Sequence, residues 1–241
     1  MLHKTRGIVL YSSKYSDTYS IVHIFTEEFG PVSYLIANAK GKKTRVPKSV
    51  FYPLSILDME VEHRNLQDIQ RLKEVKIHTP VFSLLSNPVK SAIAIFLAEF
   101  TGKVIKEVEQ NRQLFDYLLH SIRILDLSEK NYANFHLVFM IRLSLFLGFS
   151  PHAAGYRKGM FFDMQNGVFT LYKPAHIHYL NPDESESFSL LLRMNYENMG
   201  IFRFSRHERK SIIYRILEYY RLHLVDFSDL KSLEILHEVF G

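Results

Sequence analysis

The chain has 241 residues, 47% hydrophobic and 23% charged, which excludes a disordered polymer and allows one large core or, on the reading preferred here, two domains. The formal net charge of +5 and sequence pI of about 9.2 favour an anionic partner without specifying one. With no cysteine there is no disulfide framework, no thiolate nucleophile and no cysteine zinc site, and a cytosolic protein is the simple inference.

The first residues, Met-Leu-His-Lys-Thr-Arg, precede only a short apolar run and do not resemble a signal peptide. No uninterrupted apolar segment approaches the length of a membrane span. Residues 6–11 form a short apolar strand candidate, and a polar turn follows around Tyr15 and Asp17. Residues 19–26 alternate as a second strand, with Ile21, His23 and Phe25 on one face and Val22 and Ile24 on the other. Gly30 supplies a turn into a third strand at 32–37.

Residues 38–48, Asn-Ala-Lys-Gly-Lys-Lys-Thr-Arg-Val-Pro-Lys, then carry Lys40, Lys42, Lys43, Arg45 and Lys48 and no acid. Such a loop cannot be buried, because each unpaired cation would lose its hydration, but it can lie on a polyanion. It can equally be a solvated surface turn. Through Thr79 the chain has 12 Lys or Arg against 8 Asp or Glu, and beyond it 18 against 17, so the electrostatic surface belongs to the N-terminal part. The apolar run from Val50 leads into a strand at 54–63, and a last strand is expected at 69–77. Five strands with short connections predict a small barrel, a platform suited to single-stranded nucleic acid.

After Pro80 the period changes to that of helices. Asn87-Pro88 start one that runs to about Val108, with Ile93, Phe96, Leu97, Phe100 and Val104 on its apolar side. Helices at 113–127 and 132–147 follow, placing Phe135, Phe139, Leu143 and Phe146 in a bundle core. Residues 150–180 break the pattern, with a hairpin at 161–169 turning at Asn166-Gly167. A helix at about 182–194, a long one at 205–224 opened by a Ser205/Glu208 capping box, and a short one at 230–240 complete the chain. The long helix presents Ile212, Ile216, Tyr219 and Tyr220 to a core. The expected fold is therefore α+β: a barrel domain at 1–79, then a helical domain at 80–241 with an irregular insertion at about 150–180.

Nothing in the chain carries a catalytic signature. Phosphate-binding glycine loops, dinucleotide turns and nucleophile elbows are absent, and Asp58, Glu60 and Glu62 read as a solvated strand face rather than a magnesium site, so no enzyme activity is expected. Among the 12 histidines, His176 and His178 share a face if their segment is a strand, with His152 or Asp163 to complete a set, but no four-ligand geometry follows and no cofactor is expected. Tyr11, Tyr15, Tyr19, Tyr34 and Tyr52 are candidates to stack bases or to rim a small core, and Arg6, Lys14 and Arg45 to meet phosphates or rings.

Thr5-Arg6-Gly7-Ile8-Val9-Leu10, Tyr15-Ser16-Asp17, Ile24-Phe25-Thr26-Glu27-Glu28-Phe29-Gly30, Ala39-Lys40-Gly41-Lys42, Pro53-Leu54 and Leu72-Lys73-Glu74 resemble, in order and spacing, the N-terminal part of the RecO family. Phe146-Leu147-Gly148-Phe149-Ser150-Pro151, Leu217-Glu218-Tyr219-Tyr220-Arg221-Leu222-His223-Leu224 and Lys231-Ser232-Leu233 extend the resemblance to the last helices. It implies an OB-type barrel and a helical C-terminal domain. It also implies binding of single- and double-stranded DNA, annealing of complementary strands, and work with RecR and the single-strand DNA-binding protein so that RecA loads during gap repair, in the cytoplasm and at the nucleoid.

In that setting Lys40, Lys42, Lys43, Arg45 and Lys48 would screen phosphates, with Arg6 and Lys14 as lesser contributors. Arg209, Lys210, Arg215 and Arg221 would receive the acidic C-terminal tail of the single-strand DNA-binding protein, or simply form the wet side of their helix. Many family members carry a four-cysteine zinc module in the insertion. Here it is expected to be metal-free and packed by Phe161, Phe162, Val168 and Phe169. The competing function is a protein adaptor whose helical domain recruits repair factors without direct DNA contact.

Overall fold

The computed structural model describes residues 2–37, 47–64, 67–106 and 109–239, with Lys48 by its backbone alone. The chain divides into two compact units, Met1–Leu127 with Leu230–Val239, and Ser128–Asp229. The change from strands to helices comes earlier, between Thr79 and Phe82, so helices belong to both units.

The first unit is built on a closed five-stranded barrel: β1 (Leu2–Lys14), β2 (Tyr19–Thr26), β3 (Gly30–Ala37), β4 (Ile56–Glu62) and β5 (Ile69–Thr79), in spatial order β1-β2-β3-β5-β4. All pairings are antiparallel except β3 with β5. This is the OB arrangement. Strand β1 exceeds the expected length because its first half pairs with β4 and its second with β2, and a bulge between Val9 and Tyr11 bends it between the two. Gly7 sits at this crossing, where an added Cβ would lie 2.5 Å from both Ile24 Cγ2 and Met59 Cε.

Alternation then decides the interior: Val9, Val22, Ile24, Val32, Tyr34, Leu57, Met59 and Val61 fill the barrel. The apolar run from Val50 is not continuous strand. A 3-10 turn at Lys48–Phe51 and a left-handed Leu54 (φ 64°) interrupt it, because Leu54 N–H and Ser55 C=O bond Val9 across the bulge, at 2.8 and 3.0 Å.

Helices α1 (Phe82–Ser86), α2 (Pro88–Val104) and α3 (Arg112–Leu127) follow. Asn87 caps α2 by accepting from the Val89 and Lys90 amides, and Pro88 occupies the first turn. The expected apolar side, Ile93, Phe96, Leu97, Phe100 and Val104, is buried, and the helix ends at Val104 rather than near Val108. The short α1 was not expected. The Asp126 carboxylate at the end of α3 caps it, accepting from the Ser83 and Leu84 amides, and the buried Lys90 donates to Ser83 Oγ and the Asp126 carbonyl.

The second unit contains α4 (Phe135–Phe146), a small sheet β6 (Phe161–Asp163), β7 (Val168–Thr170) and β8 (Tyr179–Leu180), and helices α5 (Pro182–Leu192) and α6 (Arg206–His223). Phe135, Phe139 and Leu143 are buried, α4 packs on α6, and the buried Tyr220 hydroxyl donates to the Met140 carbonyl at 2.6 Å; Phe146 is only half-buried. The insertion is a three-stranded sheet of order β7-β6-β8 rather than a hairpin alone. Phe162 anchors it against Phe169, Phe188 and Tyr219. Val168, expected in that core, is exposed, because it alternates with Phe169 along β7 and only one of them can face inward.

The last helix, α7 (Ser232–Val239), belongs to the first unit and packs on α2. The Glu99 carboxylate of α2 accepts from the Lys231 and Ser232 amides at 3.0 and 2.8 Å and from Ser232 Oγ, capping α7 from outside.

Candidate nucleic-acid interface

The barrel wall has two chemically different faces, and strand register separates them. Residues directly opposite one another share a face. Tyr11↔His23↔Ser33↔Ile69 and Ile21↔Leu35↔Arg71 therefore lie outward together, with Ser13 opposite Ile21 and Tyr19 opposite Ala37. The part of this face that lies on β1, β2 and β3 carries no carboxylate. Arg71, on β5, is the exposed cation of the face and stands opposite Glu62 on its other side. Arg71 was missed from the sequence because the alternation of 69–77 gave β5 a period but no neighbour.

The centre of the face is ordered. Tyr11 stacks on His23 with centroids 4.1 Å apart and planes at 23°, and its ring also meets the backbone at Gly102, where a Cβ would approach it to 2.7 Å. Ser33 Oγ and His23 Nδ1 are 3.0 Å apart. Burial holds the His23 pKa below the ordinary histidine value, so the ring is uncharged near neutral pH.

The cationic loop leaves from one end of this face. Its last preceding residue, Ala37, pairs with Tyr19, and the β1–β2 turn beside it is closed by the Tyr15 and Ser16 amides donating to the Tyr19 carbonyl. Tyr15 and Tyr19 are exposed there, and Lys14 pairs with Asp17 at 2.6 Å in open solvent. Lys40, Lys42, Lys43 and Arg45 lie outside the described residues, as does the side chain of Lys48.

The outer face of β4 and the β1 and β5 segments beside it is the acidic counterpart. Lys4 meets Glu60 at 3.5 Å, Lys73 meets Glu62 at 3.0 Å and His78 meets Asp58 at 3.0 Å, so the three alternating acids are held in cross-strand pairs. Arg6 is on this side, in a groove with Lys4, Glu27, Asp58, Glu60 and Lys76. Its guanidinium makes a bidentate pair with Glu27, at 2.8 and 2.7 Å, and lies 5.3 Å from the Phe115 ring centroid. Hydrogen bonding from Arg6 pulls the Glu27 pKa below the ordinary glutamate value.

Two of the tyrosines are not free to stack bases. Tyr34 is fully buried, because opposite Val22 it points into the barrel, and its hydroxyl has no partner among the described residues. Tyr52 is half-buried and donates to Ser91 Oγ at 3.0 Å.

In the second unit three of the four arginine and lysine candidates are engaged. Arg215 bonds Glu184 and Glu218, at 2.6 and 2.8 Å, Arg221 bonds Asp229 at 2.8 Å, and Arg209 donates to the Phe204 carbonyl while burial lowers its pKa. Lys210 is exposed. Arg215 also rims a groove of about 140 Å³ between α5 and α6, over an apolar floor of Leu180, Phe188 and Ile212. His176 lies 3.2 Å from Asp163 and His178 lies 3.7 Å from Glu218. No group of three or more possible metal ligands converges among the described residues. No helix among them is long and apolar enough to cross a membrane.

A closed five-stranded barrel in the OB arrangement, joined to a helical region that carries a small sheet, defines the class: an OB-barrel protein of α+β architecture. The family model described as Recombination protein O N terminal matches residues 1–81, and that described as Recombination protein O C terminal matches residues 85–234. The chain belongs to the RecO family of DNA repair and recombination proteins. It is 58% identical over 240 residues to the DNA repair protein RecO of Azobacteroides pseudotrichonymphae, with 100% of each chain covered. It is 45% and 47% identical over 241 residues to those of Phocaeicola vulgatus and Bacteroides fragilis, again with 100% of each chain covered.

Proposed function

We propose that this chain is a non-catalytic recombination mediator that binds single- and double-stranded DNA, anneals complementary strands, and with RecR assists RecA loading at gaps, in the cytoplasm and at the nucleoid. The observation that carries this reading is the distribution of charge on the barrel: the outward face of β1, β2 and β3 has no carboxylate up to Ala37, the residue before the cationic segment, while Asp58, Glu60 and Glu62 of β4 are held in ion pairs.

Annealing needs phosphate repulsion between two strands reduced while their base edges stay available. Lys40, Lys42, Lys43, Arg45 and Lys48 supply the screening, with Lys14 and Arg71 at the edges of the face. Arg6 is a lesser contributor, because Glu27 already satisfies its charge. Tyr15 and Tyr19 offer ring faces to unpaired bases. The acidic C-terminal tail of the single-strand DNA-binding protein is assigned to the α5–α6 groove, where Arg215, bonded to Glu184 and Glu218, stands at the rim beside Leu180, Phe188 and Ile212. Lys210 is exposed, and Arg209, Arg215 and Arg221 would have to exchange their present partners.

The test is DNA binding and strand annealing over a salt series, beside a variant with Lys40, Lys42, Lys43, Arg45 and Lys48 changed to alanine. Each true phosphate contact contributes about 0.7 to the single-strand salt slope, so the variant is expected to lose about 3 to 4 and to anneal poorly. Unchanged binding by the folded variant would remove the loop from the interface. Absence of DNA retention together with tight binding of a repair protein would install the adaptor function instead.

A further inference from the structure

The insertion of the second unit presents a tip whose chemistry the barrel does not explain. Phe161 pairs with Thr170, so the turn before β6 and the turn after β7 emerge at the same end of this strand pair. The first turn is held by the Tyr156–Phe169 ring contact, centroids 4.9 Å apart, and by the Arg157 amide donating to Met160 Sδ at 3.2 Å. The second is shaped by the Tyr172 amide donating to Thr170 Oγ1 at 3.3 Å.

Together they expose Arg157, Lys158 and Lys173 beside Leu171 and Tyr172, which are 64% and 82% exposed. Lys173 Nζ stands 5.3 Å from the Tyr179 ring centroid, which restrains it. The single acid between residues 150 and 180 is Asp163, and it is buried, accepting from the Gln165 and Asn166 amides and Asn166 Nδ2. Burial pushes the Tyr156 hydroxyl pKa up, with Glu186 and Asp183 of α5 adding to it and Arg193 opposing them, so charge alone does not account for a ligand here.

A tyrosine left almost wholly in water contributes little to the core, and three cations around it suit a strand whose unpaired bases have free ring faces. A duplex offers phosphates but hides those faces. We infer that this tip is a second single-stranded DNA contact, in which Tyr172 stacks a base and Lys173, Arg157 and Lys158 meet the flanking phosphates. The inference rests on the reading of the chain as a DNA-binding protein.

The experiment is binding of a labelled oligothymidylate by the full chain over a salt series, for the unsubstituted protein, Tyr172→Ala, Tyr172→Phe and the triple variant Arg157→Ala/Lys158→Ala/Lys173→Ala. Tyr172→Ala is expected to lower affinity about tenfold and Tyr172→Phe less than about twofold, the range of one stacking contact. The triple variant is expected to lower the salt slope by about 2, at about 0.7 per contact. Photocross-linking of a bromodeoxyuridine oligonucleotide to the unsubstituted protein, expected to label the segment 157–173, tests the tip without any substitution.

Adducts confined to the barrel, or variants that bind as the parent does, would overturn the inference and leave the barrel interface standing. Parent-like DNA binding with loss of a self-association seen by sedimentation would assign the tip to a second copy instead. If the unsubstituted protein retains no DNA even at low salt, the tip and the proposed function fall together.

Discussion

At the scale of single residues, long-range pairing decides what a charge or a ring can do. Arg6 lies among the sequence features that suggest a phosphate contact, yet Glu27, across the barrel wall, takes both its Nε and Nη2. Both groups are partly shielded, so Glu27→Gln is expected to cost about 1–2 kcal/mol in urea unfolding. The sign of its pH dependence follows. Glu27 titrates lower in the folded chain than its ordinary value of 4.5, so its contribution is complete above about pH 5 and is lost as pH falls through the folded value; Glu27→Gln should flatten that part of the profile. Tyr34 is the opposite case, a hydroxyl buried with no partner among the described residues, whose ionisation burial pushes far upward. Tyr34→Phe is therefore expected to raise stability by about 1 kcal/mol and to leave DNA binding unchanged. A loss of stability in the same unfolding experiment would mean the hydroxyl has a partner.

At the scale of elements, caps hold remote segments in place. Helix α7 has two turns, too short to persist alone, and Glu99 supplies hydrogen bonds to its first turn while Leu236 is buried. Burial raises the cost of ionising Glu99, but the bonds from Ser232 and Lys231 outweigh it and its pKa is lowered. The docking is thus strongest above the ordinary glutamate pKa and weakens as pH falls through the folded value. Glu99→Ala is expected to raise amide exchange across residues 232–239 with little change in β2 and β3. Equal exchange in both segments, or none, would show that the apolar contacts suffice. The same logic holds in the insertion, where the Asp163 cap closes the β6–β7 turn that presents Phe162 and Phe169 to the core.

At the scale of the whole molecule, closing the barrel turns one strand toward two chemical environments. Strand β5 presents Arg71 between Leu35 of β3 and Glu62 of β4, and Lys76 farther along beside Asp58 of β4. A matched pair of substitutions exploits this. Arg71→Ala is expected to lower single-stranded DNA affinity severalfold and the salt slope by about 0.7, while Lys76→Ala changes neither. Equal losses in a titration of the two variants would mean that overall charge, not the face, governs binding. In the second unit Arg209, Arg215 and Arg221 are bonded within the unit, Arg215 to Glu184 at the rim of the α5–α6 groove.

The sequence carries the order and type of most elements, because hydrophobic period and capping are local. Strands β2 and β3, the Asn87-Pro88 start of α2 and the Ser205/Glu208 box of α6 stand where their residues require. It also concentrated the uncompensated positive charge at residues 38–48. That Tyr34 points inward, that Glu27 holds Arg6, that β8 joins the insertion and that α7 belongs with the barrel is set by contacts between segments far apart in the chain. A repeat of two or of 3.6 residues establishes that a face exists, but not what stands opposite it. Those partners come from register and chain return, over separations of 21 residues for Arg6 and Glu27 and 133 for Glu99 and Ser232.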